Sequence, residues 1–175
     1  YDIIVTGEIN GEDTLSFCIP YRDGKRKYID NEKKIQIVDD VYKIRTITDV
    51  KDSTGSTITQ VYAEAEFYDL TFSVRKEEKK FEAETADVAM AYALSGTEWS
   101  VGTVSVTTKR TWTSTEKNAL AILRSIADLH GGDLVFDCPN RLVHLLTVNG
   151  KDSGALFAYK KNMKSIERVV DTRSL

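Results

Sequence analysis

The stretch at residues 113–137 reads TSTEKNALAILRSIADLHGGDLVFD and contains the clearest helix signal in the chain. Residues 113–116 have the Thr-x-x-Glu spacing of a capping box, in which two side chains bond free backbone N–H groups at a helix start. Apolar residues then recur at helical spacing and form one wide stripe: Ala119, Leu120, Ile122, Leu123, Ile126, Ala127 and Leu129. The glycines at 131–132 are typical of a helix end. The stretch therefore predicts a helix near 114–130 that leads into a strand.

A second, shorter helix is predicted near residues 85–95. Thr85 is a suitable N-cap residue, because its hydroxyl can accept a bond from a free backbone N–H. Val88, Ala91 and Tyr92 fall on one side of this helix. We expect these three side chains to form its buried face.

The part of the chain before residue 75 has the pattern of an antiparallel sheet. Asn10-Gly11 between two β-rich runs is a strong hairpin signal. Apolar side chains at 61, 63, 65 and 67 alternate with polar ones, which predicts one buried and one solvated face. The alternating charges at 75–80 suggest a solvated connection. The predicted strands are residues 2–9, 14–19, 33–38, 41–49, 60–67 and 69–74.

These patterns together predict an α+β fold. It consists of antiparallel segments, whose regular turns favour a β-barrel or a β-sandwich, and a small inserted α+β domain that carries the two helices. We place a β-rich segment at 1–81, the α+β domain at 82–148 and a further β segment at 149–175. The last segment returns to the first or starts another domain, with strands at 155–159 and 163–170. Because it ends in what resembles the middle of a strand, we expect a longer parent protein.

The composition excludes several classes of protein. Of the 175 residues, 41% are hydrophobic and 29% are charged, which excludes a disordered chain. Only 10 glycines and 2 prolines exclude collagen. The formal net charge of −3 gives no reason to expect a main partner that is nucleic acid. No apolar run approaches the roughly 18–20 residues of a membrane-spanning helix.

Candidate catalytic and metal-binding residues do not form a recognisable set. His130 and His144 are the two histidines, and no third ligand follows either at a metal-site spacing. Asp133 and Asp137 flank a predicted strand, and nothing selects them as a catalytic pair. The glycines at 131–132 follow a helix, whereas a phosphate-binding loop precedes one. We therefore predict no catalytic, cofactor-binding or metal-binding residue.

Cysteines and tryptophans leave two structural alternatives open. Cys18 and Cys138 lie in or beside apolar runs and are interpreted as buried thiols, with a disulfide as the alternative. Trp99 and Trp112 are interpreted as core residues, or for Trp112 as a hydrophobic staple beside the predicted capping box. The alternative is an exposed aromatic platform of a carbohydrate-binding module.

Several motifs in a fixed order resemble one protein family. The order and spacing of these motifs are similar to those of siphophage tail-tip hub proteins. This family is also called phage minor structural protein, prophage endopeptidase tail or the N-terminal region of tail-associated lysin. The motifs are GEDTLSF at 11–17 followed by Pro20, GTEWSVG at 96–102, the helix-to-strand stretch at 118–137, VHL at 143–145, NGKDSG at 149–154 and YKKNMKSIER at 159–168.

The resemblance implies a structural role. Such proteins are expected to have barrels that resemble tail-tube domains and to form a trimer in the full-length protein. The trimer closes the tail tube below a ring of distal tail protein and meets the tape-measure protein and a tail fibre or receptor-binding protein. DNA is expected only in transit, no membrane is implied, and the near-neutral charge fits a channel wall that does not hold DNA.

The resemblance also implies a location and an absence of chemistry. The location is the virion tail tip, after assembly in the cytoplasm of the host bacterium. Lytic activity is expected in a C-terminal region outside this chain, so no catalytic residue is assigned and the chain is not expected to be an enzyme. The alternatives are a cell-wall-degrading peptidase or hydrolase component and a module that binds host-wall carbohydrate.

Overall fold

A computed structural model describes residues 3–38, 40–51, 53, 55–115, 117–148 and 150. The strands predicted at 155–159 and 163–170, and residue 116 of the predicted capping box, lie outside this part. The described elements are β1 (Ile3–Gly7), β2 (Asp13–Pro20), β3 (Lys34–Ile37), β4 (Asp40–Lys51), β5 (Thr57–Ala65), β6 (Val74–Arg75), β7 (Lys79–Thr85), α1 (Ala86–Leu94), β8 (Ser100–Val104), β9 (Lys109–Ser114), β10 (Lys117–Asn118), α2 (Ala119–His130), β11 (Asp133–Asp137) and β12 (Leu142–Leu146), with 3₁₀ helices at Arg26–Tyr28 and Glu66–Phe72.

The first five strands form one antiparallel sheet in the order β1-β2-β5-β4-β3. The predicted hairpin at Asn10 joins β1 to β2, and Asn10 has the positive φ of 57° that such turns require. Alternation places one face of the sheet in the core, as predicted. Its buried residues include Leu15, Ile44, Val61, Ala63 and Ala65. The fold class is α+β, in agreement with the sequence.

The prediction was wrong for the chain that follows β5. Glu66, expected on the solvated face, is only 6% exposed, and the strand expected at 69–74 is absent. A 3₁₀ helix, Glu66–Phe72, replaces it and leads into the short strand β6. The helical turn breaks the period of two, so Phe67 and Leu70 both face the core.

The remaining strands build a second layer with the two helices. β11 pairs with β12 antiparallel and β12 pairs with β8 parallel, while β7–β9 and β6–β10 form two small ribbons. α1 packs against α2 and β8. Part of the charged segment 75–80, predicted as a connection, lies in β6 and β7. None of the helices in the described part of the chain is long and apolar enough to cross a membrane.

The second helix begins later than predicted. Thr113 lies in β9 opposite Lys80, so it does not cap a helix. Asn118 is the N-cap instead, and its Oδ1 accepts a hydrogen bond of 2.8 Å from the Ala121 N–H. Pairing with β7 holds residues 109–114 extended and delays the helix start. The predicted apolar stripe is buried apart from Leu129, which is 41% exposed.

The first helix buries a different face from the predicted one, although Tyr92 of the predicted face is partly buried and packs against the core. Thr85 occupies the N-cap position, but its side chain makes no capping bond. Val88 is 43% exposed and Ala91 is also exposed. The helix rests on α2 and β8 through a mainly small-residue face: Ala86, Ala89, Met90, Ala93 and Leu94. Its sequence is apolar nearly all round, so periodicity could not select the buried side.

Candidate assembly interface

The outer strand β1 is the most exposed apolar element of the sheet. Ile3, Ile4 and Val5 are 63%, 58% and 49% exposed. Successive side chains of a strand point to opposite faces, so neither face of β1 is covered within the described part of the chain. Only β2 pairs with it there, which leaves a row of edge N–H and C=O groups open. An apolar open edge of this kind is a surface for association.

The opposite edge of the same sheet is strand β3. It pairs with β4 alone among the described strands. Ile35 and Ile37 are half-buried against the core, while Lys34 and Gln36 face outward. The sheet therefore has two different edges on opposite sides. Contacts between unlike surfaces of identical subunits close into rings when the rotation permits.

The turn between β1 and β2 is fixed to the α+β layer by one side chain. Asn10 Oδ1 accepts a 2.6 Å hydrogen bond from the Leu134 N–H, and Asn10 Nδ2 donates one of 3.2 Å to the Gly132 carbonyl. The Asn10 amide group thus forms hydrogen bonds with one backbone N–H and one backbone carbonyl at the start of β11, as a neighbouring strand would. The Asn-Gly signal predicted the turn, but not this distant contact.

Further contacts hold the same two layers together. The Arg124 guanidinium donates a 2.8 Å hydrogen bond to the Gly11 carbonyl. The Phe67 ring stacks on Phe136 at a centroid distance of 4.0 Å and an interplanar angle of 13°. The five-stranded sheet and the α+β layer are therefore coupled.

A buried carboxylate forms a second junction between the layers. Glu66 Oε1 accepts hydrogen bonds from Lys34 Nζ at 2.6 Å and from the Arg141 guanidinium at 3.2 Å. Lys34 comes from the sheet and Arg141 from the β11–β12 turn, and Arg141 also pairs with Glu98. A buried charge of this kind requires partners. No sequence pattern predicts this junction, because the three residues lie far apart in the chain.

Asp69 links the 3₁₀ helix to β4. Burial raises the pKa of the Asp69 carboxyl, whereas hydrogen bonds from Lys43 and Arg45 lower it by a larger amount. The pKa of Asp69 in the folded chain is therefore below the usual 3.8. Arg45 lies where the β4–β5 register shifts. A carboxyl whose pKa is lowered by folding contributes stability above its unfolded pKa. This contribution is lost as the pH falls through the folded pKa.

The histidines and aspartates considered as candidates are separate and have structural partners. His130 is buried, and its Nδ1 lies 3.0 Å from the Thr108 carbonyl oxygen, which can only accept. His144 Nδ1 accepts a 2.8 Å bond from the Thr103 N–H. Asp137 accepts two bonds from Asn140. Among the described residues, no three His, Cys, Asp or Glu side chains are grouped so as to hold a metal ion.

Comparison with protein families identifies the chain. A model of the prophage endopeptidase tail N-terminal domain matches residues 1–65, and a model of the prophage endopeptidase tail domain matches residues 73–145. The chain belongs to the prophage endopeptidase tail family. It is a phage tail protein, as the resemblance implied. Both matched regions are tail domains, and neither match describes a catalytic domain in this chain. No curated protein sequence gives a significant match.

Solved structures of tail proteins share the fold. Prophage tail protein gp18 from Listeria monocytogenes EGD-e has a TM-score of 0.72 at 13% identity, over 89% of this chain and 48% of that one. The tail protein from Neisseria meningitidis MC58 has a TM-score of 0.57 at 13% identity, over 83% of this chain and 44% of that one. The 43 kDa tail protein of prophage MuSo2 from Shewanella oneidensis has a TM-score of 0.54 at 13% identity, over 89% of this chain and 52% of that one. This tail protein spans about half the length of these structures.

The tryptophans of this tail protein pack inside it. Trp99 is 6% exposed and meets Phe136 edge-on at a centroid distance of 6.1 Å. Trp112 lies in β9 and stacks on Phe81 at 4.9 Å, so it is not the predicted staple at the start of α2. Pairing of β9 with β7 brings these two rings together. Neither tryptophan forms an exposed platform for a sugar ring.

The cysteines of this tail protein are free thiols. Cys18 is half-buried and Cys138 is buried, so the disulfide alternative is not realised. Burial raises the pKa of the Cys138 thiol to about 11. We therefore expect iodoacetamide at pH 8 to leave Cys138 unmodified in the folded chain, because the thiolate is the reactive form. Peptide mass spectrometry after labelling would show this. Both cysteines should react once the chain is unfolded without a reductant, and a disulfide-linked peptide pair would contradict the prediction.

Proposed function

We propose that this tail protein is part of the hub at the tip of a phage tail. In this proposal it assembles with copies of itself, as a trimer in the full-length protein, and closes the tail tube below the distal tail protein. The exposed apolar edge of β1 is the observation that supports assembly. A strand with Ile3, Ile4 and Val5 uncovered is prone to aggregation unless a partner covers it in the working particle.

A position at the tail tip would bring this protein into contact with two further partners. The tape-measure protein would meet the hub inside the tube, and a tail fibre or receptor-binding protein would join it outside. DNA would pass without being held, which suits a chain with a net charge of −3. The chain would act by assembly, without chemistry of its own, at the virion tail tip after assembly in the host cytoplasm.

The two alternative functions lack a supporting observation. A carbohydrate-binding module needs an exposed aromatic platform, and Trp99 and Trp112 both pack against phenylalanine rings. A peptidase needs a nucleophile or metal with converging partners, and in the described ranges His130, His144 and Asp137 each bond to local structure instead.

Replacing Ile4 with Lys tests the assembly role of β1. Because Ile4 is 58% exposed, the melting temperature of the isolated chain should not change. In the assembled tail the lysine would be buried without a partner, at a cost of several kcal/mol. We therefore expect the titre of infectious particles from the induced prophage to fall by about 100-fold or more.

Val88→Lys is the matched control, because Val88 is an exposed apolar residue on α1, outside the sheet edge. It should leave both the melting temperature and the titre near wild type. Electron micrographs of the Ile4→Lys lysate should show tails without a completed tip. A normal titre for Ile4→Lys would contradict a role of β1 in assembly.

A further inference from the structure

The segment between β2 and β3 carries a concentrated positive charge in an acidic chain. Residues 21–28, here the basic loop, read YRDGKRKY and contain four cations and one carboxylate. The whole chain has a formal net charge of −3. Within the loop, Arg22, Lys25 and Lys27 are exposed. The loop is therefore a local positive patch on a protein of opposite overall sign.

One of the four cations fixes the shape of the loop. The Arg26 side chain donates hydrogen bonds to Thr59 Oγ1 at 3.1 Å and to the Ile29 carbonyl at 2.9 Å. It also lies 3.6 Å from the Asp49 carboxylate. Asp23 is engaged within the loop, since its Oδ1 accepts a 2.8 Å bond from the Lys25 N–H. An ordered loop loses little entropy on binding, so its exposed cations are presented in advance.

The loop lies at the end of the sheet that faces away from the α+β layer. The opposite end carries the β1–β2 turn, where Asn10 is bonded to β11. β2 separates the two ends by eight residues, about 26 Å of extended chain. The loop starts beside β5, with the Tyr21 N–H bonded to the Thr57 carbonyl. Within the described part of the chain, the exposed side chains of the loop leave this end of the sheet uncovered.

A shallow hollow beside the loop offers a place for a side chain. It has a volume of about 450 Å³. Arg22 and Tyr21 line one side of it, and Gly55, Ser56 and Thr57 line another. A guanidinium beside polar groups is suited to a carboxylate, which it can bind through two parallel hydrogen bonds. The hollow would therefore accept an aspartate or glutamate side chain.

The two exposed tyrosines favour a protein partner over a nucleic acid. Tyr21 and Tyr28 are 48% and 65% exposed. Each ring has a cation of the loop near its face, with Arg26 at 6.0 Å and Lys27 at 5.0 Å. One face of each ring is therefore occupied within the loop, which reduces the ring surface left for the stacked bases of sequence-tolerant nucleic-acid binding. Tyrosine and arginine together are typical of protein–protein contacts.

We propose that the basic loop binds a carboxylate-rich surface of the protein in the adjoining ring of the tail. The inference rests on the proposed tail-tip position, which supplies such a ring. A different protein is required, because copies of this chain joined end to end would form an open filament and not a closed tip. The exposed cations Arg22, Lys25 and Lys27 would supply the attraction and the tyrosines the buried contact.

The test measures binding of the 175-residue chain to the purified distal tail protein of the same prophage, by isothermal calorimetry at several salt concentrations. We expect wild-type affinity to fall as salt rises. The variant R22E/K25E/K27E should bind at least about tenfold more weakly. The control variant K76E/K79E/K80E makes the same change in charge on another exposed segment. It should bind within about twofold of wild type, and both variants should melt near the wild-type temperature because the altered side chains are exposed.

The outcomes separate the loop from the proposed position. If the loop variant binds like wild type while wild type binds well, the inference is overturned and the tail-tip position stands. If wild type does not bind the distal tail protein, the proposed position itself is contradicted. Duplex DNA of 20 base pairs is the second ligand in the titration. Binding of DNA that disappears in the loop variant, with unchanged binding of the tail protein, would also overturn the inference.

Discussion

Replacing Asn10 with Ala is expected to lower the free energy of unfolding by about 2–3 kcal/mol. The substitution removes the two hydrogen bonds to Gly132 and Leu134, each worth about 1 kcal/mol. It also places alanine at a φ of 57°, which costs about another 1 kcal/mol. Urea unfolding followed by circular dichroism measures the change.

Two companion variants separate these causes. Asn10→Gly tolerates the positive φ, so it should show only the loss of the side-chain bonds, about 2 kcal/mol. Asn10→Asp keeps the acceptor for the Leu134 N–H but loses the donor to the Gly132 carbonyl. Its free energy of unfolding should lie between those of wild type and Asn10→Ala. If Asn10→Ala unfolds at the wild-type urea concentration, the turn does not couple the sheet to the α+β layer.

Removing both cations from Glu66 is expected to have an effect of similar size. In the double variant Lys34→Met/Arg141→Met, the carboxylate of Glu66 stays buried and loses the partners described above. Loss of a partner from a fully buried ion pair costs about 3–5 kcal/mol. Because the Lys34 and Arg141 side chains are 48% and 33% exposed, water moderates the effect, and we expect about 2–3 kcal/mol. Urea unfolding again gives the value.

A third substitution in the same background identifies the cause. Adding Glu66→Leu removes the unpaired charge and should restore most of the lost stability, since apolar replacement of buried ion pairs is often neutral. Lys33→Met is the control, because the Lys33–Asp30 pair is exposed on both sides and its loss should leave the urea midpoint close to that of wild type. If the double variant is as stable as the control, Glu66 is not a buried junction.

The local patterns of the sequence were sufficient for much of the fold. The Asn-Gly turn, the alternation at Val61, Ala63 and Ala65 and the stripe of α2 were all predicted, because each depends on neighbours within a few residues. The Gly131-Gly132 signal also marked a helix end, which the structure places after His130. These elements fix the α+β class without any knowledge of distant contacts.

The errors arose where a distant partner decides the local structure. Pairing of β9 with β7 keeps Thr113 in a strand, so the Thr-x-x-Glu pattern does not start a helix there. Glu66 reads as a surface residue until Lys34 and Arg141 meet it in space. The prediction of the buried face of α1 was wrong because the residues of this helix are almost uniformly apolar. Tertiary contacts overrode local preference in the first two cases.

The candidate interface was harder to predict from the sequence than the fold. The composition shows 29% charged residues of both signs and a net charge of −3, so it gives no indication of a local basic loop. The exposure of Ile3, Ile4 and Val5 depends on what lies beside β1, and a β-rich run alone predicts a half-buried strand. The family resemblance depended instead on the order and spacing of motifs along this chain, which do not require knowledge of distant contacts.

Electron cryomicroscopy of the intact phage tail would locate this chain and show which of its surfaces are covered by neighbouring subunits. A map of the particle produced from the induced prophage should contain this chain at the distal end of the tail tube. It should form a closed ring of copies, with β1 of each copy covered by a neighbour. A map that places the chain elsewhere in the particle, or at the tip with Ile3, Ile4 and Val5 facing solvent, would contradict the account.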